Sequence, residues 1–234
     1  MTDTIARFRR VAAFTPIAFA FIAFAVLALG AAGAHADPIR IVAIGDSNFD
    51  PPGVDPDKTY PPKLEAALRA KGHDVVVVNA GHRGDKTRDV VHRLNRDVPE
   101  GTDIALVTVG VNDKAENVPS DTINQNLTTI VRRLRERNIE VLLFGLGNPD
   151  DPTCCRGGDL AKMYGAAFYR QFQDGVIDDP ALHVEKQRPA PGSTLINGSK
   201  SATAWHLNAA GYDAVVARTL PAIEQLVEQV KAKR

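Results

Sequence analysis

The sequence predicts an α/β fold in which a parallel sheet is covered on both faces by helices. Two observations carry this. Short β-branched runs alternate along the chain with longer amphipathic ones, and strands joined by helices pair in parallel. The strand runs are also near-continuously apolar, as strands buried on both faces are.

Residues 39–44 (Ile-Arg-Ile-Val-Ala-Ile) read as the first strand. Tyr60-Pro61-Pro62 opens a helix through Lys71, since proline is tolerated in a first helical turn, and Gly72 ends it. Val75-Val76-Val77-Val78 is the second strand, residues 87–96 a helix, and residues 104–109 the third strand. Ser120 or Asp121 is expected to cap a helix whose apolar face carries Leu127, Ile130, Val131 and Leu134. Residues 140–144 form the fourth strand and 159–172 a helix, with a short last strand at 182–184. Asn208 caps a final helix whose buried face includes Leu220, Ile223, Val227 and Val230, and Pro221 is expected to bend it or start it afresh.

The first 36 residues stand apart. Arg7, Arg9 and Arg10 form a basic start, Val11 to Ala36 is uncharged, and Ala34-His35-Ala36 is a small-x-small cleavage signal. That order predicts a secretory signal peptide over 1–36 and a secreted or periplasmic protein. The uncharged stretch is also long enough for an uncleaved membrane anchor, the less favoured reading. Removing three arginines and Asp3 from 28 basic and 28 acidic residues leaves 25 and 27 on residues 37–234, one domain. This balance recommends neither nucleic acid nor an acidic surface as a partner, and no obligate protein partner is evident. The only cysteines, Cys154 and Cys155, are adjacent. They close no loop, and with no other cysteine and no nearby histidine no metal site is expected there.

Ligands of open parallel sheets sit at the carboxyl ends of the strands. Four strand exits are rich in Gly, Ser and Asn: Gly45-Asp46-Ser47, the run from Asn79 to Gly84, Gly110-Val111-Asn112-Asp113 and Gly145-Leu146-Gly147-Asn148. Acyl transfer needs a nucleophile, a base and donors for the developing oxyanion. Ser47 suits the first role. It follows a strand, and a position at a helix start would turn its own N–H toward a bound carbonyl. Gly84 offers a second backbone N–H, Asn112 a side-chain amide, and His206 a base at the entry to the last helix. Taken singly, each has a plainer reading: Ser47 as a helix cap, Asn112 as a turn residue, His206 as a surface histidine. The segment from Gly81 to Thr87 is not a phosphate loop, because Asp85 separates Gly84 from Lys86.

Together these residues resemble the SGNH hydrolases, also called GDSL esterases and lipases. Gly45-Asp46-Ser47 matches the first block and Gly110-Val111-Asn112-Asp113 the third, and His206 in Trp-His-Leu-Asn matches the last. The second-block glycine falls on Gly84, with Gly81 as the alternative. The resemblance implies a flavodoxin-like three-layer α/β/α sandwich with a parallel sheet of about five strands. It implies hydrolysis of small-molecule ester, thioester or other acyl substrates, with no metal and no organic cofactor. Ser47 and His206 would be catalytic, and Ser47, Gly84 and Asn112 would line the oxyanion hole. Carbohydrate O-deacetylation is an alternative chemistry on the same fold.

The chain departs from this pattern at Thr203, where the family usually carries an aspartate three residues before the histidine. An acid there would orient the imidazole and stabilise its cation. Three readings follow. A backbone carbonyl or Thr203 itself orients His206. Or a carboxylate from elsewhere, Asp213, Glu185 or Asp159, takes the role. Or the chain is a ligand-binding member with weak or absent turnover. A second departure, Asn48-Phe49-Asp50 after Ser47, is expected to alter the pocket floor.

Overall fold

Alternating side chains divide the interior between the two faces of one sheet. The computed structural model describes residues 37–146, 157–184 and 206–234. The leader predicted over 1–36, the Cys154–Cys155 pair, Glu185 and Thr203 lie outside them. Five parallel strands, β1 (Ile39–Gly45), β2 (Val75–Gly81), β3 (Ile104–Thr108), β4 (Glu140–Phe144) and β5 (Ala167–Tyr169), run in the spatial order β2-β1-β3-β4-β5. The helices are α1 (Tyr60–Ala70), α2 (Thr87–Asp97), α3 (Val111–Ala115), α4 (Ser120–Glu136), α5 (Gly157–Tyr164) and α6 (Ala209–Lys231).

Ile41, Ala43, Ile104, Leu106, Leu142 and Phe144 face one way and pack with Leu64 and Leu68 of α1 and Val215, Ile223 and Val227 of α6. Val42, Ile44, Ala105, Val107, Val141 and Leu143 face the other way, against Val90 and Leu94 of α2 and Leu127, Ile130 and Leu134 of α4. This is the three-layer arrangement expected. Each buried Val, Leu or Ile contributes about 1.5–3 kcal/mol, so both faces are strongly fixed.

Four local expectations are corrected. The helix expected over 159–172 stops at Tyr164, because Gly165 takes a left-handed conformation (φ +63°) and the chain then turns into β5. The last strand expected at 182–184 is instead a 3₁₀ turn, Pro180–Leu182, followed by a single bridge between His183 and Leu207. Neither Ser120 nor Asp121 caps α4: the N-cap is Pro119, which makes no side-chain cap, and Asp121 sits in the first turn, where an acid complements the helix dipole. Pro221 does not start a new helix, because it lies inside a continuous α6. Pro221 and Ala217, the residue one turn before it, are both exposed, so the carbonyl released by the missing N–H can meet water.

Candidate active site

The strand order 2-1-3-4-5 reverses direction at β1, and the crevice beyond the carboxyl end of β1 and β3 is where such sheets take ligands. The register makes the three relevant exits level. Gly45 stands opposite Gly81 on one side and Thr108 on the other. Ser47 therefore leaves the sheet between the loop carrying Gly84 and the loop carrying Asn112. Both neighbours demand glycine at Gly45 and Gly81. A Cβ on Gly45 would lie 1.9 Å from the Thr108 carbonyl oxygen, and one on Gly81 would lie 2.6 Å from the Phe49 Cβ.

Ser47 lies in a single tight turn, closed by Phe49 N–H and Asp50 N–H donating to the Asp46 carbonyl (3.1 and 3.3 Å). It does not open a helix as expected, since α1 starts only at Tyr60. Side chains replace the helix as the brace. Asp46 Oδ1 accepts from Asn48 N–H (3.0 Å) and Asn48 Nδ2 (2.9 Å), and Asn48 Nδ2 also donates to Thr108 Oγ1 (3.1 Å). Asn79 Nδ2 donates to the Phe49 carbonyl (2.9 Å). The Phe49 ring stacks on Tyr60 at 5.6 Å and meets Phe172 edge-on at 5.5 Å, fully buried. It thus anchors the turn in the core.

Asp46 is buried, and among the described residues its Oδ2 has no partner. Burial pushes its carboxyl up to about 7; the Asn48 bonds oppose this and the charge of Asp85 adds to it. Asp113 is equally buried but well satisfied. It accepts from Thr87 N–H (2.8 Å) and Thr87 Oγ1 (2.6 Å), so it caps α2 from across the site and takes no part at the crevice.

The two glycine candidates differ in what their N–H groups meet. Gly81 N–H already donates to Asn79 Oδ1 at 2.9 Å. Gly84 is exposed at φ +84°, and among the described residues none beyond its chain neighbours has an atom within 4 Å of where a Cβ would stand. Among the described residues neither the Ser47 nor the Gly84 N–H meets an acceptor. Asn112 lies in the first turn of α3 and donates one amide hydrogen to the Asp85 carbonyl at 2.8 Å, leaving the other for a ligand. Three donors on three level loops can together receive a developing negative charge.

His206 is placed by backbone pairing. Its carbonyl accepts from Val184 N–H (3.0 Å), and Asn208 N–H donates to the Leu182 carbonyl (2.9 Å). Asn208 caps α6 as expected, its Oδ1 accepting from Gly211 N–H at 3.0 Å, while its Nδ2 reaches the Ala181 and His183 carbonyls. The imidazole is half-buried, and burial followed by the nearby Arg83 charge lowers its pKa to about 4. Arg83 in turn rests on the segment after Ser47, its Nη2 donating to the Pro51 carbonyl at 3.1 Å. Of the substitute acids, Asp213 pairs with Lys63 at 2.5 Å and is 64% exposed, and Asp159 is exposed on α5.

The sequence model of the GDSL-like lipase/acylhydrolase family matches residues 43–214, which include Ser47, Gly84, Asn112 and His206. The chain belongs to this family. Over 131 residues this GDSL-family chain is 26% identical to an arylesterase of Vibrio mimicus, covering 56% of the chain and 62% of that relative. It is 27% identical over 127 residues to the esterase TesA of Pseudomonas aeruginosa, covering 54% of the chain and 63% of that relative. The chain thus matches somewhat over three fifths of the length of each. Among solved structures it resembles AlinE4, an SGNH-hydrolase family esterase, with a TM-score of 0.60 and 28% identity over 81% of this chain and 97% of that one.

Arg93 is a site-shaping residue outside the strand exits and the family motifs. Arg93 is buried on α2 beside Leu94 and within a turn of Val90. A charge on an apolar helix face is the signal that marks such a residue.

Proposed function

We propose that this chain hydrolyses carboxylic ester or thioester bonds of small acyl substrates, with Ser47 as nucleophile and His206 as base. The observation that carries this reading is the set of donors around the crevice. Ser47 N–H and Gly84 N–H meet no acceptor among the described residues, and Asn112 keeps one amide hydrogen to offer. Family membership and relatives named as esterases support the same reading.

In the proposed reaction His206 takes the Ser47 proton as Oγ attacks the acyl carbon. The carbonyl oxygen becomes an oxyanion held by the Ser47 N–H, the Gly84 N–H and Asn112. Collapse expels the alcohol or thiol, which takes the proton from His206, and water repeats the sequence to release the acid. Arg83 and burial favour neutral imidazole, the form able to accept a proton. The basic and apolar leader over 1–36 supports export of the protein to the periplasm or medium. Among the described residues no helix is long and apolar enough to cross a membrane.

Incubation with a fluorophosphonate probe tests the nucleophile. Labelling is expected in the native protein and absent in Ser47→Ala, and labelling that persists in Ser47→Ala would remove the enzyme reading. Thr203 at the usual acid position favours one other reading, a ligand-binding member with weak turnover. Absence of labelling in the folded native protein would select it.

A further inference from the structure

We propose that Arg93 is a positioning residue for acyl transfer: its buried guanidinium fixes the Ser47 turn relative to the Gly84–Asp85 segment and, through Asp85, sets Asn112. The proposal rests on the serine hydrolase reading above.

Arg93 is 7% exposed, and its guanidinium spends four bonds on four different groups. Nη2 donates to the Gly45 carbonyl (2.8 Å), at the end of the strand that delivers Ser47. Nη1 donates to the Ala80 carbonyl (2.8 Å), at the end of the strand that delivers Gly84, and to Asp97 Oδ2 (2.7 Å). Nε donates to Asp85 Oδ2 (2.6 Å). The Gly45 carbonyl is shared with His82 N–H (2.9 Å), which ties the loop after β2 to the same atom.

Asp85 is the hinge of the arrangement. Its carboxylate is held by Arg93, and its main-chain carbonyl holds Asn112 Nδ2 at 2.8 Å. It also follows Gly84 directly, so a displaced Asp85 moves the Gly84 N–H and releases the Asn112 amide together. Arg93 touches no substrate position in this scheme. It acts by keeping two donor-bearing loops in register with a third, and catalytic donors misplaced by about 1 Å lose about 10²-fold in rate. A lysine keeps the charge but lacks the planar fork that spans Gly45, Ala80 and Asp85 at once.

A double-mutant cycle between Arg93 and Asn112 tests this, with kcat and KM for p-nitrophenyl acetate, fluorophosphonate labelling rate and Tm measured for each variant. Arg93→Lys is expected to lower kcat at least tenfold with KM little changed, at a temperature well below its own Tm. Asn112→Ala is expected to cost about 10²–10³-fold in the native background but less than tenfold in Arg93→Lys, because the amide is already misplaced there. Asp85→Asn provides the same cycle should Arg93→Lys not fold. An equal Asn112→Ala penalty in both backgrounds, or an Arg93→Lys loss confined to Tm, would overturn the proposal while leaving Ser47-dependent labelling intact. Loss of that dependence on Ser47 would instead overturn the hydrolase reading, and this proposal with it.

Discussion

Asn112 on α3 donates its side-chain amide to the main-chain carbonyl of Asp85 at 2.8 Å, so the exit of β3 is tied to the loop that leaves β2. The bond orients the amide and leaves its second hydrogen for the crevice. Asn112→Ala is therefore expected to lower kcat by about 10²–10³-fold, the usual cost of one oxyanion donor, with a much smaller change in KM. Steady-state kinetics on p-nitrophenyl acetate measure both. A rise in KM with unchanged kcat would place Asn112 in ground-state binding.

The acid limb of activity is expected well below the usual histidine range. His206 must be neutral to accept a proton, and its pKa is lowered to about 4 by burial and by Arg83. An unperturbed histidine would place this limb near 6.5; its neighbours move it down. As pH falls, kcat/KM should hold until about 4 and then decline. Arg83→Gln removes the lowering charge and should shift the limb upward, as added salt should to a smaller degree. The kcat/KM–pH profile of the two proteins checks the direction.

Asp46 and His206 drive stability in opposite directions with pH. Burial raises Asp46 from 3.8 to about 7, so the folded state binds more protons than the unfolded state in that window and stability is lost as pH rises through it. His206 is lowered from 6.5 to about 4, so its contribution rises with pH across its own window. The two slopes offset each other in the native protein between pH 4 and 6.5. Asp46→Asn removes only the first. Its Tm relative to the native protein should therefore climb between pH 4 and 8, and a constant difference would show that Asp46 ionises normally in the fold.

The Tyr60 hydroxyl lies 2.7 Å from that of Thr219, joining α1 to α6 in a fully buried pair. Tyr60→Phe leaves Thr219 Oγ1 bonded to the Val215 carbonyl at 2.9 Å, so no buried hydroxyl is orphaned. The expected loss is about 0.5–1.5 kcal/mol by denaturant unfolding, with kcat unchanged. A loss several times larger would mean that the ring shifts as well.

Asp213 is held by Lys63 and largely exposed, so Asp213→Ala should leave activity intact. Thr203→Asp restores a carboxylate three residues before His206 and should raise kcat, by stabilising the imidazolium that forms. Parallel kinetics of the two variants decide where the charge comes from. Lost activity in Asp213→Ala with no gain in Thr203→Asp would assign the acid to Asp213.

Much of the fold and part of the candidate site are legible in the residues. The five-strand parallel sheet follows from apolar runs separated by amphipathic ones, and Asn208 caps its helix as its side chain requires. Ser47, Gly84 and Asn112 stand out because each lies within a few residues of a strand's carboxyl end, and strand ends of a parallel sheet share one edge. The periodicity over 159–172 does not show the helix end, because Gly165 breaks it through its backbone conformation. Only the fold shows that Phe49 turns toward Tyr60 and Phe172.

The sequence by itself determined the layers, the family pattern and the chemical types brought to the crevice, since these depend on local periodicity and on short motifs. Tertiary structure decided which of Gly81 and Gly84 keeps its N–H available, how far His206 is lowered, and that Arg93 joins residues as distant as Gly45 and Asp97. Those properties depend on burial and on contacts between segments far apart in the chain. Hydrogen bonding and desolvation act across space, and no local spacing records them.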